Sequence, residues 1–205
     1  ITERKNNEEK ILFASHHDNL TGLYNRNYLD EEARRIESEN IFPVSVIMAD
    51  LNGLKLVNDT YGHARGDEML IEAAGILKNN CRLEDAIARW GGDEFVILLP
   101  ETSADDAWLV CKRISSSFRE ATVEEIPISM ALGVACREND TEKLIETIRN
   151  AENNMYKQKL TESRSTKNTV LKALLKTLEA KSFETEAHTR RMQDIAHQMG
   201  EEIGL

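Results

Sequence analysis

Several residue types are scarce in this sequence of 205 residues, and each scarcity excludes a class of protein. The three cysteines, Cys81, Cys111 and Cys136, are odd in number and widely spaced, so they form neither a disulfide framework nor a zinc pattern. They suit a reduced cytosol, and we expect them to be small core residues. Basic residues are outnumbered, and the net charge of −10 argues against binding to nucleic acid or to an anionic membrane. No apolar run is long enough for a membrane span and no signal peptide is visible, so we expect a cytoplasmic protein without membrane contact in this segment.

The apolar residues, in contrast, are sufficient for a core. The hydrophobic fraction of 40% supports one mid-sized domain with additional elements. Short β-prone runs alternate with segments of helical periodicity. Strands are predicted over 43–50, 86–90, 95–99 and 127–135. Helices are predicted over 28–39, over 54–58, from Asp67 onward, and after the N-caps Ser103 and Thr141. This order predicts an α/β fold with a mixed sheet, in which an antiparallel pair lies inside βαβ-like connections.

The stretch Gly91-Gly92-Asp93-Glu94 lies between two apolar runs. We predict the tip of a β-hairpin there, because glycine tolerates a positive φ at little cost. Glycines would also let a ligand approach bare backbone N–H groups, and the two following carboxylates could hold a metal ion or a phosphate-bound metal. A solvated hairpin with acidic residues at its tip is the alternative interpretation.

Asp50 ends the predicted strand 43–50, at the position where α/β folds bind ligands. If Asp93 and Glu94 lie beside it, three carboxylates would repel one another unless cations join them. Mg²⁺ binds to one or two carboxylates, waters and substrate phosphates, and a pair of such ions about 4 Å apart can activate a hydroxyl and stabilise a leaving pyrophosphate. The sequence has no Gly-x4-Gly-Lys-Ser/Thr loop, which excludes a P-loop NTPase. Contacts to a triphosphate would therefore come from the 52–54 turn, Lys55 and Lys159.

Five motifs in order resemble the GGDEF family of diguanylate cyclases, namely residues 18–26, 50–59, 61–63, 66–67 and 91–95. The match covers about 18–160. The resemblance implies a palm-like sheet flanked by helices, similar to nucleotidyl cyclases and polymerases. It also implies that two GTP molecules are joined into cyclic di-GMP with loss of two pyrophosphates, with Mg²⁺ or Mn²⁺. Because each domain would hold one GTP, the reaction would need two domains face to face in a homodimer.

The resemblance also implies a role for each matched residue. Metal ligands would be Asp50, the Leu51 carbonyl, Asp93 and Glu94. Of these, Asp50, Asp93 and Glu94 would be catalytic, with Glu94 at the second metal or the 3′-hydroxyl. The substrate-binding residues would be Gly91 and Gly92 at the nucleotide, Asn58 and Asp67 at guanine, and Lys55 and Lys159 at the phosphates. The alternatives are a helix N-cap for Asp67, a helix end cap for Asn58, and solvent-facing side chains for the lysines.

A second site is suggested by Arg82 and Asp85, which lie shortly before Gly91. This spacing matches the site at which the family binds its product, cyclic di-GMP, as an inhibitor. Arginine suits phosphates and guanine edges. A salt bridge between the two side chains is the alternative. The sequence departs from the family at Ser163, where an arginine is common, although Arg164 is adjacent.

The two ends resemble parts of other signalling domains. Residues 1–17 are predicted as a linker helix, and the first five resemble the exit of a PAS sensor domain, which would be an upstream partner. Residues 161–205 are predicted as a linker and the first helices of a truncated HD-GYP-type domain. There, Glu184 and His188 match that family's first metal ligands. Since the remaining ligands are missing, we expect no phosphodiesterase activity from this piece.

Two functions of different classes therefore compete. One is an active diguanylate cyclase. The other is a non-catalytic domain that binds GTP or cyclic di-GMP and controls the neighbouring HD-type domain. The intact 91–95 motif, Asp50 and Asn58 favour the enzyme. A generic nucleotidyl transferase of the same palm type is a more distant alternative.

Overall fold

The computed structural model describes residues 15–160, so the predictions on residues 1–14 and 161–205, including Glu184 and His188, lie outside the described residues. Strands and helices alternate along most of this part of the chain. In order they are β1 (Tyr24–Asn25), α1 (Arg26–Ser38), β2 (Val44–Leu51), α2 (Leu54–Tyr61), α3 (His63–Asn80), β3 (Ala86–Gly91), β4 (Glu94–Pro100), α4 (Ala104–Arg119), β5 (Thr122–Val123), β6 (Ile126–Pro127), β7 (Met130–Arg137) and α5 (144–160).

The main sheet has five strands in the order β1-β3-β4-β2-β7. The pair β1–β3 is parallel, and the other three pairs are antiparallel. This confirms the predicted α/β fold with a mixed sheet. All eight residues of β2 are buried because β2 has a strand on each side and helices on both faces. Its unbroken apolar sequence is typical of such a strand.

Two apolar cores lie on opposite faces of this sheet. Alternate residues of β2 and β4 face each core, as the two-residue period of a strand requires. Ile47 and Ile97 join the core that contains residues of α2, α3 and α4. Val46 and Val96 join the core that contains residues of α1 and α5. The sheet is therefore held between two helical layers, and its strand ends carry the polar residues.

Several boundaries differ from the prediction. The helix expected to open at Asp67 begins at His63, because Gly62, with a φ of 87°, ends α2 and starts α3 within one residue. Asp67 is therefore not an N-cap. Ser103 does cap α4, but Thr141 does not cap α5, whose Leu144 N–H donates to the Glu37 carboxylate of α1 at 2.7 Å.

Other differences concern short elements and the cysteines. The two-residue strands β1, β5 and β6 were not predicted, and β7 begins three residues later than expected because 126–127 pairs with 122–123. Short strands carry too few residues for a periodic pattern. Cys111 is a buried core residue as expected, whereas Cys81 and Cys136 are only half-buried.

Candidate active site

The antiparallel pairing of β2 with β4 brings the predicted acids together. Asp50 lies directly opposite Glu94 in the register, and the Leu51 N–H donates to the Asp93 carbonyl at 2.9 Å. The turn after β3 therefore closes over the carboxyl end of β2. This is the juxtaposition that the motif positions predicted, and it depends on a register that only the folded sheet fixes.

At the carboxyl end of β2, the surroundings disfavour the charged forms of Asp50 and Glu94. Burial raises the pKa of Asp50, and the charge of Asp93 raises it further, against the opposing effect of Lys159. Burial also raises the pKa of Glu94, together with repulsion from Asp50, Asp93 and Glu152. Such a concentration of like charge is typical of functional sites, since a folded protein has no structural need for it.

One cation enters the site from the last described helix. The Lys159 ammonium lies 2.7 Å from Asp50 Oδ1, with 37% of the lysine side chain exposed and 8% of the aspartate side chain. Residues 154 and 158 attach α5 to the free edge of β7. Asn154 donates to the Val134 carbonyl, and Gln158 accepts from the Leu132 N–H, each at 2.9 Å. These contacts fix the register of α5 and so the position of the lysine.

The expected metal ligands are adjacent but do not form a finished metal site. Within residues 15–160, no group of three or more His, Cys, Asp and Glu side chains is arranged to hold a metal ion. Asp50 is instead paired with Lys159. The donors still have the chemistry that Mg²⁺ prefers, namely carboxylates whose mutual repulsion a divalent cation would relieve.

The glycines of the 91–92 turn are not needed for the backbone conformation that the sequence analysis expected. A hairpin is present, with an irregular register between Arg89 and Gly91, but neither Gly91 nor Gly92 has a positive φ. A Cβ built on Gly92 would meet no atom within 4 Å, and one on Gly91 would lie 3.6 Å from Glu94 Oε2. The glycines therefore leave open space beside the acids, which fits the expected close approach of a ligand to the backbone.

Arg89 contributes to the site, and sequence reasoning assigned it no role. Its guanidinium donates to the Gly92 carbonyl through Nε at 3.1 Å and Nη2 at 2.8 Å. Its Nη1 binds Asp18 at 3.2 Å, and Asp18 also accepts from both the N–H and the hydroxyl of Thr21. Arg89 thus ties the opening motif to the glycine turn. Because 71 positions separate Asp18 from Arg89, no local pattern could reveal this bridge.

The two expected guanine-reading residues lie where α2 packs against α3. Asn58 is inside α2, and its Oδ1 is buried without a hydrogen-bond partner among the residues that the structure describes. Asp67 is exposed in α3, and Lys55 is exposed in α2. Neither cap interpretation holds, because Gly62 takes the capping position of both helices. An unpaired buried acceptor is costly, so Asn58 has a side chain suited to an external donor.

Arg82 and Asp85 are not paired through their side chains. The Asp85 carboxylate accepts from the Arg82 backbone N–H at 2.6 Å, and burial raises the pKa of Asp85. The Arg82 side chain is exposed, and both residues line a pocket of about 410 Å³ that Lys78 and Tyr24 also border. The salt-bridge interpretation is therefore wrong in this structure, and the guanidinium is available to a ligand.

Comparison with known proteins shows which family the chain resembles. Residues 15–165 match the family model described as the diguanylate cyclase GGDEF domain. The chain belongs to the GGDEF family. Within this family, diguanylate cyclase DgcM of Escherichia coli is 34% identical over 163 residues, which cover 78% of this chain and 40% of that protein. The bifunctional cyclase and phosphodiesterase MucR of Pseudomonas aeruginosa is 40% identical over 160 residues, or 75% of this chain and 23% of that protein.

Solved structures of the family share the fold of this GGDEF domain. The diguanylate cyclase SiaD of Pseudomonas aeruginosa, solved with its activator SiaC, superposes with a TM-score of 0.68 at 30% identity. The superposition covers 78% of this chain and 64% of that one. The chain spans less than half the length of the two curated relatives above. No described helix is both long enough and apolar enough to cross a membrane.

Proposed function

We propose that this GGDEF domain is a diguanylate cyclase, which joins two GTP molecules into cyclic di-GMP and releases two pyrophosphates. The observation that carries the proposal is the register that sets Asp50 opposite Glu94 with Asp93 at the adjoining turn. Burial and the repulsion among the three acids raise the pKa values of Asp50 and Glu94, and perturbed pKa values of this kind are typical of functional sites. Relatives named diguanylate cyclase support the same activity.

The chemistry is a nucleotidyl transfer that occurs twice. The 3′-hydroxyl oxygen of one GTP attacks the α-phosphorus of the other, and the bond from that phosphorus to the pyrophosphate oxygen breaks. The hydroxyl proton leaves to a base, and Glu94, which lies opposite Asp50, would assist there or at the second metal. Since each domain would bind one GTP, two domains must face each other, and we propose a homodimer.

Asp50, the Leu51 carbonyl, Asp93 and Glu94 would hold Mg²⁺ or Mn²⁺. Such an ion lowers the pKa of a bound hydroxyl and neutralises the charge that develops on the pyrophosphate. The Lys159 side chain is partly exposed and would leave Asp50 to contact a phosphate oxygen. Lys55, exposed one residue after the start of α2, would add a second positive charge near the phosphates.

Asn58 and Asp67 would select guanine. Guanine presents its N1–H and N2–H₂ groups as adjacent donors, which suit a carboxylate and an amide oxygen. Adenine lacks this pair of donors and would leave the buried Asn58 acceptor unpaired, and a mismatch of that kind discriminates strongly. At the separate pocket, Arg82 and Asp85 would bind cyclic di-GMP and reduce turnover as product accumulates.

The decisive experiment is incubation of the protein with GTP and Mg²⁺, with cyclic di-GMP as the readout. We expect product from the parent protein, none from Glu94→Ala, and parental turnover from Glu146→Ala, which removes an exposed glutamate at the other end of α5. Binding of GTP without product in the parent would contradict the enzyme and favour the non-catalytic regulatory domain.

The flanking segments add proposals that depend on sequence alone. They are an upstream sensor of the PAS type and the beginning of an HD-GYP-type domain after residue 160, in a protein of the cytoplasm. A release of linear dinucleotide from cyclic di-GMP by this chain would contradict the expected lack of phosphodiesterase activity.

A further inference from the structure

Gly66 is buried in the first part of α3, where its lack of a side chain makes room for another residue. A Cβ built at this position would lie 2.0 Å from Asn58 Oδ1, 2.9 Å from Asn58 Cγ and 3.1 Å from Leu54 Cδ1. Carbon and oxygen atoms do not approach so closely without a bond. The carboxamide of Asn58 therefore occupies the volume that any other residue at 66 would fill.

Asn58 depends on this contact for its orientation. Its Oδ1 is buried and accepts no hydrogen bond from the part of the chain that the structure describes. Polar contacts therefore do not fix that oxygen, and packing against the backbone of α3 takes their place. Asp67, the second residue proposed to read guanine, follows Gly66 directly in α3.

We propose that Gly66 is a positioning residue for guanine recognition, because only glycine lets the Asn58 carboxamide lie against α3. The inference rests on the guanine role given to Asn58 under the proposed function. A methyl group at 66 would collide mainly with the far end of a short side chain, which can rotate away. The helices need not separate, so the fold persists while Asn58 turns from the base.

A purely structural role for Gly66 makes a different prediction. Glycine inside a helix normally weakens it, so alanine at an uncrowded helical site stabilises a protein. Gly75 supplies the matched control, because it lies in the same helix and a Cβ built there meets nothing within 4 Å. If Gly66 served close helix packing alone, Gly66→Ala would lower the melting temperature whether or not Asn58 were present.

The experiment measures equilibrium binding of GTP and of inosine triphosphate, which lacks the N2 amino group, together with the melting temperature. The variants are Gly66→Ala, Asn58→Ala, the double variant and Gly75→Ala. We expect Gly66→Ala to melt no lower than the parent and to lose about 10–100-fold in GTP affinity, as Asn58→Ala does. Both variants should lose the preference for GTP over inosine triphosphate, and Gly75→Ala should retain it.

The double variant shows whether Gly66 affects GTP binding through Asn58. If Gly66 acts through Asn58, Gly66→Ala adds no further loss of affinity in the Asn58→Ala background. Additive losses, or a preserved GTP preference in Gly66→Ala, would overturn the proposal and leave the guanine role of Asn58 intact. An Asn58→Ala variant that binds GTP like the parent would overturn both. Because binding is measured, a domain that lacks cyclase activity would still answer the question.

Discussion

The two ends of the β2–β4 ladder use polar residues in opposite ways. At the Val44 end, the Ser45 hydroxyl donates to the Thr102 carbonyl at 2.8 Å, and the Thr102 N–H donates to the Pro43 carbonyl at 3.0 Å. At the other end, Asp50 and Glu94 face each other with raised pKa values. The two ends share the same strands and the same register.

The difference separates a polar group that serves the fold from one that serves a reaction. Buried polar atoms with neutral partners hold a loop in place and contribute about 1 kcal/mol each. Buried like charges reduce stability and persist where another use requires them. Substitutions at the acidic end should therefore change turnover more than stability, and a substitution at the Val44 end should change stability alone.

The largest effect is expected from Asp50→Asn. It should reduce cyclic di-GMP synthesis by at least about 100-fold, because a neutral amide cannot replace a carboxylate at a cation site. Thermal unfolding should show no large loss of stability, since the change removes a charge that Asp93 repels. A large fall in melting temperature would mean that the Asp50 carboxylate serves the fold.

Lys159→Met should have the next largest effect. It leaves the buried Asp50 carboxylate without its ammonium partner, and the partial exposure of the lysine limits the loss of stability to about 1–2 kcal/mol near neutral pH. Turnover should also fall if the lysine contacts phosphate. Lys157→Met, which changes an exposed lysine in the same helix, is the control and should alter neither stability nor turnover.

Arg89→Met tests the bridge between Asp18 and the glycine turn. Loss of the two donors to the Gly92 carbonyl should reduce turnover several-fold and the free energy of unfolding by about 1–2 kcal/mol. Arg89→Lys keeps the charge near Asp18 but cannot supply the paired N–H groups, so it should recover stability more than turnover. Full turnover in Arg89→Met would show that the bridge does not position the turn.

Glu94→Gln tests the electrostatic strain through its pH dependence. The folded pKa of Glu94 is raised, so the folded state holds a proton that the unfolded state loses, and ionisation of this group destabilises the fold as pH rises. The variant should therefore be more stable than the parent above the raised pKa. The difference in free energy of unfolding between variant and parent should shrink to nothing as pH falls through the ordinary pKa of glutamate. Urea unfolding at several pH values measures this difference, and a difference that does not change with pH would contradict a raised pKa for Glu94.

The smallest effect is expected at the opposite end of the ladder. Ser45→Ala removes one buried hydroxyl and its hydrogen bond, and should cost about 1 kcal/mol of stability. Cyclase turnover and GTP affinity should not change. A clear loss of turnover in Ser45→Ala would show that the two ends are coupled and would remove the basis of the comparison.

The acids and the elements that bear them could be predicted because their signals are local. An apolar run ending in an acid predicted β2 and Asp50, and glycines between two β-prone runs predicted the hairpin with Asp93 and Glu94. Arg89 could not be found in this way, because its partners come from the opening motif and from a backbone carbonyl. The start of α3 was also missed. Gly62 is both the C-cap of α2 and the N-cap of α3, and no sequence motif indicates that one residue does both.

By itself the sequence determined the alternation of strands and helices, the family motifs and the acidic character of the site, because short-range periodicity and residue chemistry carry that information. Only the tertiary structure decided which groups meet. The register of β2 with β4 set Asp50 against Glu94, and α5 brought Lys159 to the same carboxylate. The packing of α2 on α3 placed Asn58 in the space that Gly66 leaves. Those contacts join distant positions, so they exist only once the chain has folded.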